Sequence, residues 1–422
     1  MKLESAIPSK LPSGAWIVVV LLSLGGCLNY LDRIMITTMR PSIMHSIPMT
    51  EAQFGLLTSV FLWVYGILSP FAGFLADKIN RSSIIIGSVF LWSVVTWLTA
   101  YSSTFEELLA TRVLMGISEA CFIPAALALI VDYHRGPTRS RATSILKVGI
   151  MVGSGLGFIG GWLAERQSWN TVFILLGVIG IVFSIVLAVT LKEAPGKSLN
   201  KKEQKEGKVN FFEAVVSVFG LRSCNLIFIA WGLMGVVSWM VVGWLPTFFL
   251  ERFKLSEGIA GFYATGYFYP AAMAGLLIGG YWADRWSRSN PRARILVQVI
   301  GIGIAAPSIF IASQVNILWL AVVLFMLYAL FKSFIDTNMM PALCLVVDPK
   351  YRATAYGILN FIACIIGGLG IYAGGLLRDI DMKLGAIYRY AAIIMVIGLV
   401  LLALVKPKLN QEEQVSEKIE EK

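Results

Sequence analysis

The chain has 422 residues, 57% of them hydrophobic and only 14% charged, with a formal net charge of +10. An average soluble domain carries roughly 25% charged residues, and a chain this apolar has too little polar surface to cover a water-facing exterior. That excludes an ordinary cytosolic enzyme, a disordered chain and a secreted disulfide scaffold, and leaves a polytopic membrane protein.

A crossing helix needs about 20 mostly apolar residues. In chain order such runs fall at 15–38, 53–75, 83–101, 107–132, 142–164 and 170–191, then at 224–250, 258–283, 293–313, 317–347, 353–377 and 386–405. The first run, from about Trp16, lacks a small-residue cleavage site and reads as a span, not a signal peptide. Twelve spans put both termini on one side. The loops on that side hold 24 Lys and Arg residues against 6 on the other, which predicts cytoplasmic termini and a cytoplasmic central loop. The positive charge therefore reports orientation, and no nucleic-acid partner is expected. All five cysteines (Cys27, Cys121, Cys224, Cys344, Cys364) lie in apolar segments without metal-ligand spacing, so neither a disulfide nor a metal site is implied.

The predicted organisation is a six-helix bundle over 1–192, a cytoplasmic linker over 193–222, a second six-helix bundle over 223–406 and a cytoplasmic tail over 407–422. The linker is polar and basic and cannot build a core. Its last part, NFFEAVVSVFGLR, has the pattern of an amphipathic helix lying on the membrane surface.

Two segments nearly repeat across the halves. GFLADKINRS at 73–82 follows the second span, and GYWADRWSRS at 280–289 follows the eighth. Val131-Asp132 then Arg141-Ala-Thr143 match Val347-Asp348 then Arg352-Ala-Thr354, with Pro124-Ala125 and Pro341-Ala342 upstream. Equal halves in one orientation describe a parallel repeat about the membrane normal, an architecture whose substrate site lies between the halves at the midplane.

These residues resemble the major facilitator superfamily. The loop GFLADKINRS resembles its G-x-L-A-D-R-x-G-R-R signature, with Asn80 in place of the second Gly. The resemblance implies an all-α fold of twelve membrane helices. Asp77 and Arg81, and Asp284 and Arg288 in the repeat, become candidate latch residues. The expected pairs are Arg81 with Asp132 and Arg288 with Asp348, made in one conformational state and broken in another. The plainer reading is that these are solvated loop charges.

Ionisable residues inside spans are costly and point to function. Here they are Asp32, Arg33, Arg112, Glu119, Lys147, Lys332 and Asp336. Glu119 lies five residues before Pro124 and Asp336 five before Pro341, so each half carries a carboxylate at the corresponding place. Lys332 and Asp336 share a helix face and can neutralise each other. A desolvated carboxylate that alternates between an arginine partner and an apolar wall is a proton switch; Asp32 and Glu119 suit that role, or could form a structural ion pair. Lys147 is expected either at the substrate or snorkelling to headgroups.

NYLDR in the first span and the fourth-span Glu also resemble the anion:cation symporter branch, which includes sugar-acid carriers and the sialin group. That resemblance implies that Asp32 and Glu119 couple protons, that Arg33 binds a substrate carboxylate and that Tyr30 lines the cavity. Tyr65 and Asn360 are cavity candidates as polar residues at mid-span. Substrate contacts from Lys147, Lys332 and Asp336 complete the expected site. GISEA, RSRATSI and GSGLGFIGG resemble the spinster-type lysolipid transporters as well. The run from Gly149 to Gly161 partly resembles the fifth-span motif of drug/proton antiporters, with Ser154 where that motif has Pro; helix packing by small residues is the simpler explanation.

The leading expectation is proton-coupled symport of a small organic anion, such as a sugar acid, hexuronate or sialic-acid-like compound, in a bacterial inner membrane. The alternatives are a spinster-like lysophospholipid carrier, marked by an apolar cavity and a lateral gap, and a proton-antiporting exporter, disfavoured by the missing Pro. An enzyme is not expected: HExxH, GxSxG and Walker A motifs are absent, and the two histidines, His45 and His134, fall at loops. A monomer without cofactor or metal is expected, its partners being the substrate, protons and the bilayer.

Overall fold

The structure is a computed structural model that describes residues 11–12, 14–134, 138–194, 211–348 and 351–406, without the side chains of 70, 73, 74, 76–78, 211, 212, 214 and 353. The tail at 407–422 and most of the linker lie outside the described residues. The chain is all-helical: no strand occurs among the described residues.

The first half comprises α1 (Ala15–Thr38), α2 (Arg40–Ser46), α3 (Glu51–Lys78), α4 (Arg81–Thr99), α5 (Phe105–Glu119), α6 (Phe122–Tyr133), α7 (Arg139–Gly155), α8 (Phe158–Arg166) and α9 (Trp169–Thr190). The second comprises α10 (Phe211–Phe219), α11 (Arg222–Phe253), α12 (Glu257–Gly261), a π-helical turn (Phe262–Gly266), α13 (Phe268–Trp286), α14 (Ala293–Ala312), α15 (Leu318–Cys344), α16 (Arg352–Asp379) and α17 (Leu384–Ala403). Among the described residues, eleven segments are long and apolar enough to cross a membrane, α5–α6 and α7–α8 each counting as one. The run expected at 258–283 forms the remaining crossing in three pieces, from α12 through the π turn to α13. Short π segments are rare and concentrate where helices must bend at functional places.

Three further crossings have local features of their own. The fourth breaks at Ala120–Cys121, which makes Glu119 the last residue of α5. The fifth breaks at Leu156–Gly157 within its glycine run. At the start of α3, Thr50 and Gln53 form a reciprocal cap: Gln53 N–H donates to Thr50 Oγ1 at 3.1 Å and Thr50 N–H to Gln53 Oε1 at 2.8 Å. The glycines of α7 are packing residues: a Cβ at Gly153 would sit 2.0 Å from the Cys27 carbonyl oxygen and one at Gly149 2.3 Å from that of Ser23, so α7 lies almost backbone to backbone on α1.

The halves meet where α3 runs along α16, α7 along α13 and α8 against α12. We call the end bearing the chain termini the terminal end and the opposite one the distal end. Among the described residues, the hydrogen bonds between the halves lie at the distal end or at mid-span. Ser42 bonds Glu257, Asp379 accepts from the Glu51 and Ala52 amides at 2.8 and 3.1 Å, and Ser59 Oγ donates to Gly368 O at 2.7 Å. Trp63 Nε1 donates to Ile365 O at 3.0 Å. An ionic cluster seals the same end. Arg378 Nη2 donates to Glu51 Oε1 at 3.2 Å and to Glu251 Oε1 at 2.5 Å, and Arg40 Nε to Glu51 Oε2 at 3.0 Å.

Candidate functional site

Between the halves lies a cavity of about 340 Å³. Of the residues expected there, Tyr30, Arg33, Tyr65, Lys332, Asp336 and Asn360 stand on its wall. Lys147 is not among the lining residues: it is exposed on α7, one turn before Met151, which does line the cavity. Its position about two turns into the helix leaves its long stem free to reach water.

Arg33 is the centre of the site. Its guanidinium carbon lies 4.4 Å from the Tyr30 ring centroid, 4.6 Å from Phe61 and 4.8 Å from Tyr65. Three aromatic faces hold a planar cation that is 3% exposed. Nη2 donates to Glu119 Oε2 at 3.0 Å, joining α1 to the end of α5. Asp32 and Glu119 are off the cavity wall, buried behind it. Asp32 accepts a hydrogen bond at Oδ2 from Thr96 Oγ1, while Oδ1 has no partner.

Arg112 completes this group. It is fully buried on α5 and lies 5.0 Å from the Phe61 centroid, with Nη1 2.9 Å from Met115 Sδ and Nε and Nη2 unpartnered. Asp32, Arg33, Arg112 and Glu119 are formally two acids and two bases. Only Arg33 and Glu119 are in direct contact. An incompletely paired buried cluster is expensive, and such groups exchange partners or protons when a ligand or the backbone moves.

On the opposite wall, Lys332 Nζ donates to both Asp336 carboxylate oxygens, at 2.9 and 2.7 Å. The remainder of the wall is largely apolar or aromatic: Trp231, Trp239, Phe268, Tyr269, Tyr328, Met151 and Met234 among others. Sequence reasoning missed these. Aromatic and Met residues in an apolar span carry no mark that separates cavity wall from lipid face. A second hollow of about 220 Å³ lies between α7, the π turn and α13. It shares Met151 and Tyr269 with the central cavity, and its other lining residues include Val152, Phe158, Phe262 and Met273.

At the terminal end, Arg81 Nη1 bonds the Asp132 carboxylate and donates to Ala128 O at 2.7 Å, joining the start of α4 to α6. The Asp77 side chain lies outside the described residues. The repeat's counterpart differs from expectation. Asp284 pairs with Arg294 Nη2 at 2.8 Å, and no ion pair joins Arg288 to Asp348 among the described residues. Arg294 stands at the start of α14, two residues past the loop, where it reaches Asp284 first. His134 is fully buried at the end of α6, its ring nitrogens 3.1 Å from Thr138 Oγ1 and 3.2 Å from Ala15 O, and His45 lies in α2; neither is near the cavity.

The Major Facilitator Superfamily model matches residues 22–371. An MFS-type efflux pump of Mycolicibacterium smegmatis is 26% identical over 379 residues, covering 87% of this chain and 85% of that protein. Protein spinster homolog 1 of Homo sapiens is 27% identical, over 71% of this chain, which spans 60% of the human protein's length. The mouse sphingosine-1-phosphate transporter SPNS2 is 27% identical, covering 85% of this chain and 69% of that protein. Among solved structures, a bacterial homolog of the human lysosomal transporter Spinster superposes with a TM-score of 0.75 at 23% identity, over 94% and 96% of the two chains. With helices of this number and order around a central cavity, and a family match across both halves, the chain belongs to the Major Facilitator Superfamily of membrane transporters.

Proposed function

We propose that this transporter moves an amphiphilic anion with a single apolar chain, such as a lysophospholipid or a phosphorylated long-chain base, in company with protons. The carrying observation is the apolar hollow between α7 and α13 that adjoins the central cavity through Met151 and Tyr269. An anionic headgroup would sit at Arg33, and the chain would extend past Tyr269 towards the lipid side. One of the relatives, the mouse SPNS2 protein, is named as a sphingosine-1-phosphate transporter.

Proton coupling follows from the Arg33–Glu119 contact. An anion arriving at Arg33 competes with Glu119 for the same guanidinium donors. A carboxylate that loses its cation in a dry interior is stabilised by taking up a proton. Release of the anion restores the Arg33–Glu119 bond and frees the proton. Asp32, held only by Thr96, is the second carboxylate of this exchange. Arg81–Asp132 is the corresponding tie at the terminal end, which the Lys/Arg bias assigns to the cytoplasm. Closed at the distal end, the molecule would then face inward, in a bacterial inner membrane.

A second reading, proton-linked transport of a small sugar acid, is favoured by the polar wall of Lys332, Asp336 and Asn360. Proteoliposomes separate the two. Uptake or release of a radiolabelled lysophospholipid, driven by an imposed pH difference and unaffected by hexuronates, supports the first. Saturable, proton-driven hexuronate flux with no lysophospholipid movement supports the second. Flux of either kind that ignores the proton gradient removes the coupling.

A further inference from the structure

Basic residues are scarce at the distal end, and several are already engaged. Arg40 and Arg378 share Glu51 and Glu251, and Arg166 lies over the Trp162 ring at 4.1 Å. Three others, Arg252, Lys383 and Arg389, line a single hollow of about 570 Å³. It is enclosed by the end of α11, the turn at Ser313–Gln314 and the start of α17.

None of the three forms an ion pair among the described residues. Arg252 Nη2 donates to the Gln314 carbonyl at 2.9 Å, which orients the guanidinium without neutralising it. Among the described residues Glu251 is the one carboxylate on the wall, and both its oxygens are taken by Arg378, at 2.9 and 2.5 Å. The hollow therefore keeps an excess of positive charge.

Its shape is built in. A Cβ at Gly385 would stand 2.6 Å from the Ser313 carbonyl oxygen, so only glycine lets α17 start this close to the turn. Leu384, Gly385 and Ala386 line the floor, and Lys383 at the N-cap makes no side-chain cap bond. The first-turn amides of a 20-residue helix thus add their partial positive charge to three cations. Tyr390, next to Arg389, is 57% exposed, a placement typical of the headgroup layer.

We propose that this hollow is a binding site for a phosphate-bearing anion, separate from the transport cavity. Two guanidinium groups and an ammonium supply the charge-assisted donors that phosphate oxygens take. A lipid headgroup of the distal leaflet and free phosphate share that chemistry.

The test uses the purified full-length chain. Native mass spectrometry compares retention of phosphatidylglycerol with phosphatidylcholine, and thermal melts compare inorganic phosphate with chloride at equal ionic strength. Preferential retention of phosphatidylglycerol is expected. Apparent affinity should weaken roughly fivefold for each cation removed, in Arg389→Gln and then in Lys383→Gln/Arg389→Gln. Lys147→Gln, an exposed cation elsewhere, should leave it unchanged. Stabilisation by phosphate that the same variants abolish assigns a free anion as the occupant; a lipid effect alone assigns the headgroup. Equal retention of both lipids with no phosphate effect, or a wild-type response in Arg389→Gln, overturns the proposal. Arg389 is exposed, so that single variant decides the matter even where the double variant fails to fold.

Discussion

Ser42 Oγ donates to Glu257 Oε2 at 2.5 Å, tying α2 of the first half to α12 of the second at the distal end. Glu257 stands one residue outside the apolar run, and burial pushes its carboxyl up to about 7, with the nearby Glu165 carboxylate adding to the rise and the Ser42 hydrogen bonds opposing it. The protonated form is the one that the closed seam favours. Its stabilisation is fully present below the ordinary value of 4.5 and is lost as pH rises through about 7. Closure of the distal end should therefore weaken progressively between about pH 4.5 and pH 7, and Glu257→Gln should remove this dependence. The distance between spin labels on α2 and α12, placed away from Ser42 and Glu257 and followed with pH, checks it. The same pH profile in wild type and variant would dismiss Glu257 as its source.

Arg378 binds Glu51 across the seam and Glu251 within its own half. Arg378→Ala leaves the half-buried Glu51 with Arg40 as its one cation and the exposed Glu251 with Arg40 at 3.9 Å. The distal closure should weaken by about 1–3 kcal/mol. Distances between spin labels on α2 and α12 should then show a longer population that the wild type lacks. A single unchanged distance would mean that the cluster is not what holds the seam.

Glu119→Gln retains shape and removes the titrating group. Accumulation driven by a pH difference should be abolished, while exchange of preloaded substrate persists. Normal accumulation would eliminate Glu119 as the coupling acid.

Arg33→Lys keeps the charge but loses the plane that fits between Tyr30, Phe61 and Tyr65 and the fork that meets a carboxylate or phosphate. Substrate affinity should fall by roughly tenfold or more, the scale of one lost charge-assisted bond. Binding isotherms on the purified protein measure it. An unchanged affinity would place the anion elsewhere, with the Lys332–Asp336 pair the next position to examine.

Gly153→Val would drive a side chain into the Cys27 carbonyl of α1. A loss of about 1–3 kcal/mol is expected for such overpacking, seen as a lower thermal midpoint. Wild-type stability would show that α7 can move off α1 without cost.

The amphipathic stretch NFFEAVVSVFGLR is a helix, α10, over its first nine apolar-rich residues beginning at Phe211. The fourth crossing breaks at a place that composition does not mark, whereas the fifth breaks within its glycine run. Ala120–Cys121 has no helix-breaking residue, and Pro124 follows within the first turn of α6, where proline is tolerated. The expected Arg288–Asp348 pair shows the reach of the repeat argument. Residue types recur between halves, but which cation reaches which carboxylate depends on where each helix starts, and Arg294 reaches Asp284.

The sequence by itself determined the membrane class, the crossings, their division into two related halves and the few ionisable residues that a bilayer makes expensive. Those follow from local hydropathy and from costs paid residue by residue. Tertiary structure alone decided that Arg33 grips Glu119 and not its neighbour Asp32, that Lys332 stands on the cavity wall while Lys147 does not, and that a bent crossing leaves a hollow between α7 and α13 beside it. Each of these depends on helix rotation and tilt. Rotation and tilt are fixed by packing between segments far apart in the chain, such as the glycines of α7 against α1, and no period within one segment encodes them.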